Sequence, residues 1–281
     1  MRHREPYLPD WRALGLHGVR PLFEEAAAAD PAVPLVFGSK QRPLVTTTGE
    51  MLARAEVVAS AFHALGLTAG DVIVSQLPNW AEGMAAALAA LKLGLVQVPV
   101  VDIYGAAELS YILRATAAKA LVVPGAWRNI DFAERLAALD ALPALRHVVV
   151  LGDAAMPRPV LRWEDLLASG SAPAPAHPAD PGDVVLLNFT SGTTAAAKGA
   201  VHSHATLGGE ARRIMPVPEP AEWGRLMFWL GPAGHIGSIV GFLRPFLIGE
   251  GAIYIDRYDA TLALDLIRAH PVSRCAGAFR L

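Results

Sequence analysis

The chain has 281 residues, with 24 Lys plus Arg against 26 Asp plus Glu, a formal net charge of −2 with histidines neutral. Hydrophobic residues make up 53% and charged residues 18%, which excludes a disordered chain and supplies material for one large domain or two ordinary ones. So even a charge balance gives no general attraction for nucleic acid or anionic lipid, and neither is expected as a partner.

The lone Cys275 excludes an intrachain disulfide, and no Cys/His spacing signals a structural zinc site. The N-terminus, Met1-Arg2-His3-Arg4, lacks the apolar stretch of a secretory signal, so a cytoplasmic protein is expected. Residues 83–101 carry a single charge, Lys92, over a length that spans a bilayer. Their first part is Ala-rich, Gly94 follows, and Pro99 breaks the Val-rich remainder, so they read as a helix and a buried strand with no membrane span. Residues 236–249 are interrupted by Arg244 and Pro245 and are too short to cross.

In chain order, Glu24-Glu25 followed by alanines reads as a solvated helix face, and residues 33–37 as a strand. An amphipathic helix is expected over 48–65, opened by Thr48 and ended by Gly66. A strand over 71–77 stops at Pro78, and Asn79 then caps a helix running to about Leu93. Strands at 96–101, 120–123 and 147–151 alternate with helices at 106–118 and 131–139. After a Ser/Ala/Pro-rich connection the pattern resumes with strands at 183–189, 225–230 and 252–256, and helices at 205–215, near Ile236, and at 259–269. Apolar strands separated by helices indicate an α/β fold with mostly parallel sheets flanked by helices. The expected division is a first α/β subdomain over 1–170, the connection at 171–182, and the start of a second subdomain over 183–281.

The strand ending at Phe189 leads into Thr190-Ser191-Gly192-Thr193-Thr194-Ala195-Ala196-Ala197-Lys198-Gly199. Four hydroxyls, a glycine and a lysine at the end of a buried strand suit polyphosphate oxygens, which need many small donors and one cation. The spacing is not that of the Walker loop. No pair of carboxylates and no nucleophile–histidine–acid order stands out, so a hydrolase has little support.

Thr-Ser-Gly-Thr-Thr followed by Lys198 and then Val201-His202-Ser203-His204 resembles the signature of the adenylate-forming superfamily of AMP-dependent synthetases and ligases. That superfamily includes acyl-CoA synthetases, peptide-synthetase adenylation domains and firefly luciferase. The later run from Leu230 through Gly231-Pro232-Ala233-Gly234-His235-Ile236-Gly237, and the earlier Leu77-Pro78-Asn79 with residues 94–99, also look like the family. The resemblance implies an acid–CoA ligase. A carboxylic acid, fatty acids among the candidates, attacks ATP to give an acyl adenylate and pyrophosphate, and coenzyme A then displaces AMP. It further implies that Thr190, Ser191, Gly192, Thr193, Thr194 and Lys198 hold the phosphates. Thr190 is implied as a magnesium ligand, and His235 and Gly237 as lining for the acyl-substrate pocket.

Ala195 and Ala197 stand where relatives commonly have Gly and Pro, which restricts the backbone without removing a donor. Family enzymes are about twice this length, and the lysine that promotes adenylation lies in their C-terminal small domain, so no residue here is assigned as catalytic. The chain therefore resembles roughly the first half of such a ligase, read as part of a longer product. The alternative is a non-catalytic nucleotide- or acyl-binding fragment, or one half of a split enzyme completed by a partner chain. The acid and the oligomeric state stay open. His202 and His204 are left between ligand contact and a local structural role. Arg212-Arg213 reads as a surface pair, and the six tryptophans as packing residues.

Overall fold

The computed structural model describes residues 20–170, 172–190, 197–213 and 226–276. The first elements are α1 (Leu22–Ala27), β1 (Pro34–Gly38), β2 (Leu44–Thr47), α2 (Thr48–Ala64), β3 (Val72–Ser75), α3 (Ala81–Leu93) and β4 (Val96–Pro99). Then come α4 (Ala106–Ala115), β5 (Ala120–Pro124), α5 (Phe132–Ala137), β6 (His147–Leu151), β7 (Leu161–Arg162) and α6 (Trp163–Ser169). The last are β8 (Val184–Thr190), β9 (Lys198–Ser203), α7 (His204–Arg213), β10 (Leu226–Trp229), α8 (Ile236–Ile248), β11 (Ala252–Ile255), α9 (Ala260–Ala269) and β12 (Val272–Ala276).

Two sheets form, one in the order β12-β10-β11-β1-β2 and one in the order β7-β6-β5-β3-β4-β8-β9. Only β1–β2 and β8–β9 pair antiparallel; the other described pairs are parallel. This is the α/β architecture of mostly parallel sheets flanked by helices. Strands β5 and β11 are buried at every residue, as befits parallel strands covered on both faces. Neither sheet is built from one side of the connection at 172–182. Strands β8 and β9 follow it and join the seven-stranded sheet, while β1 and β2 precede it and join the five-stranded one.

Residues 83–101 divide into α3 and β4, and no described helix is long and apolar enough to cross a membrane. Their one charge, Lys92, is 8% exposed and paired with Glu56, its ammonium 5.9 Å from the Phe23 ring centroid. In α8 the missing N–H of Pro245 frees the carbonyl of Gly241, four residues back. The buried Tyr254 hydroxyl donates to that carbonyl at 2.9 Å. Arg244, also interior, bonds Glu250 through Nε at 2.9 Å, and Arg274 from β12 closes on the other carboxylate oxygen at 2.6 Å.

Several local expectations change. The α2 cap is Thr47, one residue before Thr48: its hydroxyl accepts from Glu50 N, and Glu50 Oε2 accepts from Thr47 N, both at 3.3 Å. Thr48 instead donates its hydroxyl to the Asp30 carbonyl. The residue preceding α3 is Trp80, and Asn79 makes no cap bond: its side chain is turned so that Nδ2 donates to the Gly231 and Ile255 carbonyls, and its Oδ1 accepts nothing. Glu24 and Arg213 are exposed, while Glu25 and Arg212 are only partly so and pair with each other between α1 and α7. Trp80, Trp127, Trp163 and Trp229 are buried packing residues. Strands β2, β7, β9 and β12 and helix α6 carry no sequence signal, and all four strands sit at sheet edges where two-sided burial is not required. Met215, Arg225 and the final residues 277–281 lie outside the described residues.

Candidate functional site

Strand β8 runs beside β4 and ends at Thr190, and the chain returns antiparallel as β9 from Lys198. Register places Thr190 opposite Lys198 at the carboxyl end of a parallel strand, where ligands of open α/β sheets bind. A return strand, in place of the helix of a Walker loop, is what the spacing without Gly-Lys-Ser/Thr permits. Gly199 allows the close return: a Cβ there would sit 3.3 Å from Cζ of Phe189.

Thr190 and Lys198 are both exposed. The Thr190 hydroxyl has one long contact, 3.5 Å to the Lys198 carbonyl, and the Lys198 ammonium has no ion-pair partner among the described residues. Ser191, Gly192, Thr193 and Thr194 lie outside the described residues.

The second candidate segment, residues 231–237, is fastened to the first. Asn188, buried two residues before Thr190, donates Nδ2 to the Gly234 carbonyl at 2.9 Å. Asn79, 2% exposed, donates to the Gly231 carbonyl at 2.8 Å and the Ile255 carbonyl at 2.9 Å, tying the segment to both sheets. Gly234 has φ +85°, and a Cβ there would fall 2.6 Å from the Val100 carbonyl carbon, so only glycine fits. The sequence reading did not assign Asn79 or Asn188 these positions. The available signal was an asparagine inside the apolar run Val184-Val185-Leu186-Leu187-Asn188-Phe189, since a buried amide needs a specific partner.

His235 caps α8: its Nδ1 accepts from Gly237 N at 3.3 Å. With Nδ1 an acceptor, the neutral ring carries its proton on Nε2, and the side chain is exposed, so it can donate outward. Thus His235 and Gly237 are brought together at the α8 N-terminus, and Asn188 connects that end to the hairpin.

The two other histidines differ from these. His204 is 1% exposed, and its Nδ1 accepts from Leu22 N at 3.0 Å, so it anchors α1. Burial lowers its pKa to about 4, outweighing Asp183, which acts in the opposite direction. His202 lies in the β8–β9 ladder opposite Leu186, half-buried, its pKa also lowered by burial.

Among the described residues no group of three or more His, Cys, Asp or Glu side chains could hold a metal.

Comparison with known proteins finds relatives of this chain. A salicyl-AMP ligase / salicyl-S-ArCP synthetase of Mycobacterium tuberculosis is 38% identical over 156 residues, 55% of this chain and 27% of that protein. A medium-chain fatty-acid–CoA ligase of Escherichia coli is 29% identical over 214 residues, 75% of this chain and 38% of that protein. The chain thus spans well under half the length of these relatives. The crystal structure of a Brucella canis acyl-CoA synthetase superposes with a TM-score of 0.76 at 18% identity, over 95% of this chain and 49% of that one, a likeness of fold. The AMP-binding enzyme family model matches residues 23–280, and the chain belongs to that family of adenylate-forming ligases.

Proposed function

We propose that this chain carries the ATP-phosphate site and part of the acid site of an ATP-dependent acid–CoA ligase. The supporting observation is the hairpin mouth, where exposed Thr190 and exposed Lys198, whose ammonium has no ion-pair partner among the described residues, stand opposite each other at the carboxyl end of β8. A carboxylate oxygen attacks the α-phosphorus of ATP, the bond to the β-phosphate oxygen breaks, and acyl adenylate and pyrophosphate result. The thiol of coenzyme A then attacks the acyl carbon and AMP leaves.

Negative charge grows on the departing pyrophosphate, so donors already in place stabilise it without reorganising. In this reading Thr190, Ser191, Thr193, Thr194 and Lys198 serve that role, and Gly192 admits close backbone approach. Thr190 would contribute its hydroxyl to a magnesium ion, which offsets phosphate charge when bound. His235, with Nε2–H free, and Gly237 at the helix N-terminus would orient the carboxylate. The acids named for the relatives are aromatic in one case and aliphatic in the other, and each belongs to that protein.

The test is equilibrium dialysis of the 281-residue chain with magnesium and ATP, followed by competition with a sulfamoyl-linked acyl adenosine that mimics the adenylate. Displacement of ATP is expected. A chain that binds ATP and ignores the adenylate mimic is a plain nucleotide binder, and the ligase reading fails.

A further inference from the structure

Helices α2 and α6 meet near Ala61, where Gly170, just past α6, approaches so closely that a Cβ on it would sit 2.9 Å from the Ala61 nitrogen. Toward Arg54 of α2 and Trp163 of α6 an open cavity of about 500 Å³ lies between them. Its floor is Ala81 and Ala85 of α3, one helical turn apart on the same face, and because both side chains end at Cβ the space above them stays empty. Leu44, Val57 and Leu167 add apolar walls, and Val57 is 46% exposed. The hairpin mouth and residues 231–237 contribute nothing to this lining, so the cavity is separate from the candidate site.

Two arginines line the cavity, and they differ in what they hold. Arg42 is engaged: it pairs with Glu82, lies 3.9 Å from Glu164, and its guanidinium carbon is 5.2 Å from the Trp80 ring centroid. Arg54 is exposed and makes no ion pair or hydrogen bond among the described residues. Apolar walls beside one uncommitted guanidinium are complementary to an apolar body that ends in a carboxylate, which the planar fork can hold by two parallel bonds. A cavity that takes up benzene measures roughly 150 Å³. The space here is several times larger and falls among small-molecule sites, which measure roughly 300–1,000 Å³, so a medium-length alkyl chain has room.

We propose that this cavity is a second binding site, for an amphipathic monocarboxylate whose alkyl chain lies on Val57, Leu44 and Leu167 and whose carboxylate meets Arg54. The site does not depend on the ligase reading. An alcohol of the same length fills the walls without the charged pair, an alkylammonium is repelled by Arg54, and a short acid leaves the walls in water.

The experiment is calorimetric titration of the 281-residue chain with octanoate, octan-1-ol, octylammonium and butanoate, with ATP titrated separately. Expected is a Kd for octanoate about fivefold or more below that of octan-1-ol and about tenfold or more below that of butanoate, with octylammonium weaker than octan-1-ol. Arg54→Gln should bring octanoate and octan-1-ol to within about twofold of each other. Val57→Glu puts a carboxylate three residues from Arg54 on the same helix face, where it pairs with the guanidinium and repels the ligand, and should weaken octanoate about tenfold or more. Both substitutions replace exposed residues, so the urea midpoint and the Kd for ATP should stay near those of the wild type. An octanoate Kd unchanged in either variant places the acid elsewhere and overturns the proposal, as does octan-1-ol binding as tightly as octanoate, or no octanoate binding at all. If one variant does not fold, the other and the wild-type ranking decide. ATP binding bears on the ligase reading alone, so the two can fail independently.

Discussion

Two neighbouring stretches at the carboxyl edge of the seven-stranded sheet use polar side chains in opposite ways. In residues 76–82 each polar side chain has a partner: Gln76 bonds the Val101 and Tyr104 carbonyls and Arg135, Asn79 bonds the Gly231 and Ile255 carbonyls, Trp80 bonds Asp256, and Glu82 pairs with Arg42. At the hairpin mouth, Thr190 and Lys198 hold almost nothing among the described residues. The first stretch joins the two sheets, and the second leaves its donors exposed, as the proposed phosphate site requires. Substitution should therefore separate the two, with loss of stability in one and loss of binding in the other.

The largest effect is expected at Asn79. Asn79→Ala leaves two buried carbonyls without donors, at about 1–3 kcal/mol each, so urea unfolding should show roughly 2–5 kcal/mol of destabilisation. A change below about 1 kcal/mol would mean that water replaces the amide and that the junction is not held by it.

His204 extends the comparison, since it too is a committed polar group. Its folded pKa is about 4 against an unfolded value near 6.5, so below neutrality the unfolded chain binds more protons. Stability is complete above about pH 6.5 and declines as pH falls toward 4, by on the order of 3 kcal/mol from this residue. The charged or titratable groups acting on it are Asp183, His177 and Asp180. His204→Asn keeps an acceptor for Leu22 N and cannot titrate, so its stability should vary less between pH 7 and pH 5 than that of the wild type. Identical slopes would exclude His204 as the source.

Much of this was legible beforehand, and the exceptions have physical causes. Apolar runs such as residues 120–124 announce buried parallel strands because both faces are covered. The strand Lys198–Ser203 announces nothing, since it is an edge strand, with exposed Lys198, Gly199 and Ala200, whose partner is chosen by register with β8. Thr190, Ser191, Gly192, Thr193, Thr194 and Lys198 were read as a phosphate loop from order and composition, and of these only Thr190 and Lys198 lie among the described residues. Asn79 was read as a cap because caps are local, whereas its true partners lie 152 and 176 residues away. His204 was ambiguous for the same reason, its partner being 182 residues earlier.

Smaller effects sharpen the contrast. Thr47→Ala removes the α2 capping box and should cost about 1 kcal/mol by thermal or urea unfolding, with no change in ATP affinity. Lys198→Ala should leave stability within about 0.5 kcal/mol, because the exposed ammonium has no ion-pair partner among the described residues.

The most direct measurement compares ATP and AMP binding by the wild-type chain and Lys198→Ala at fixed salt and magnesium. A lysine that faces the β and γ phosphates raises affinity for ATP and not for AMP. The account predicts that Lys198→Ala weakens ATP at least tenfold and leaves AMP within twofold, and an ATP-to-AMP affinity ratio equal in the two chains would contradict it.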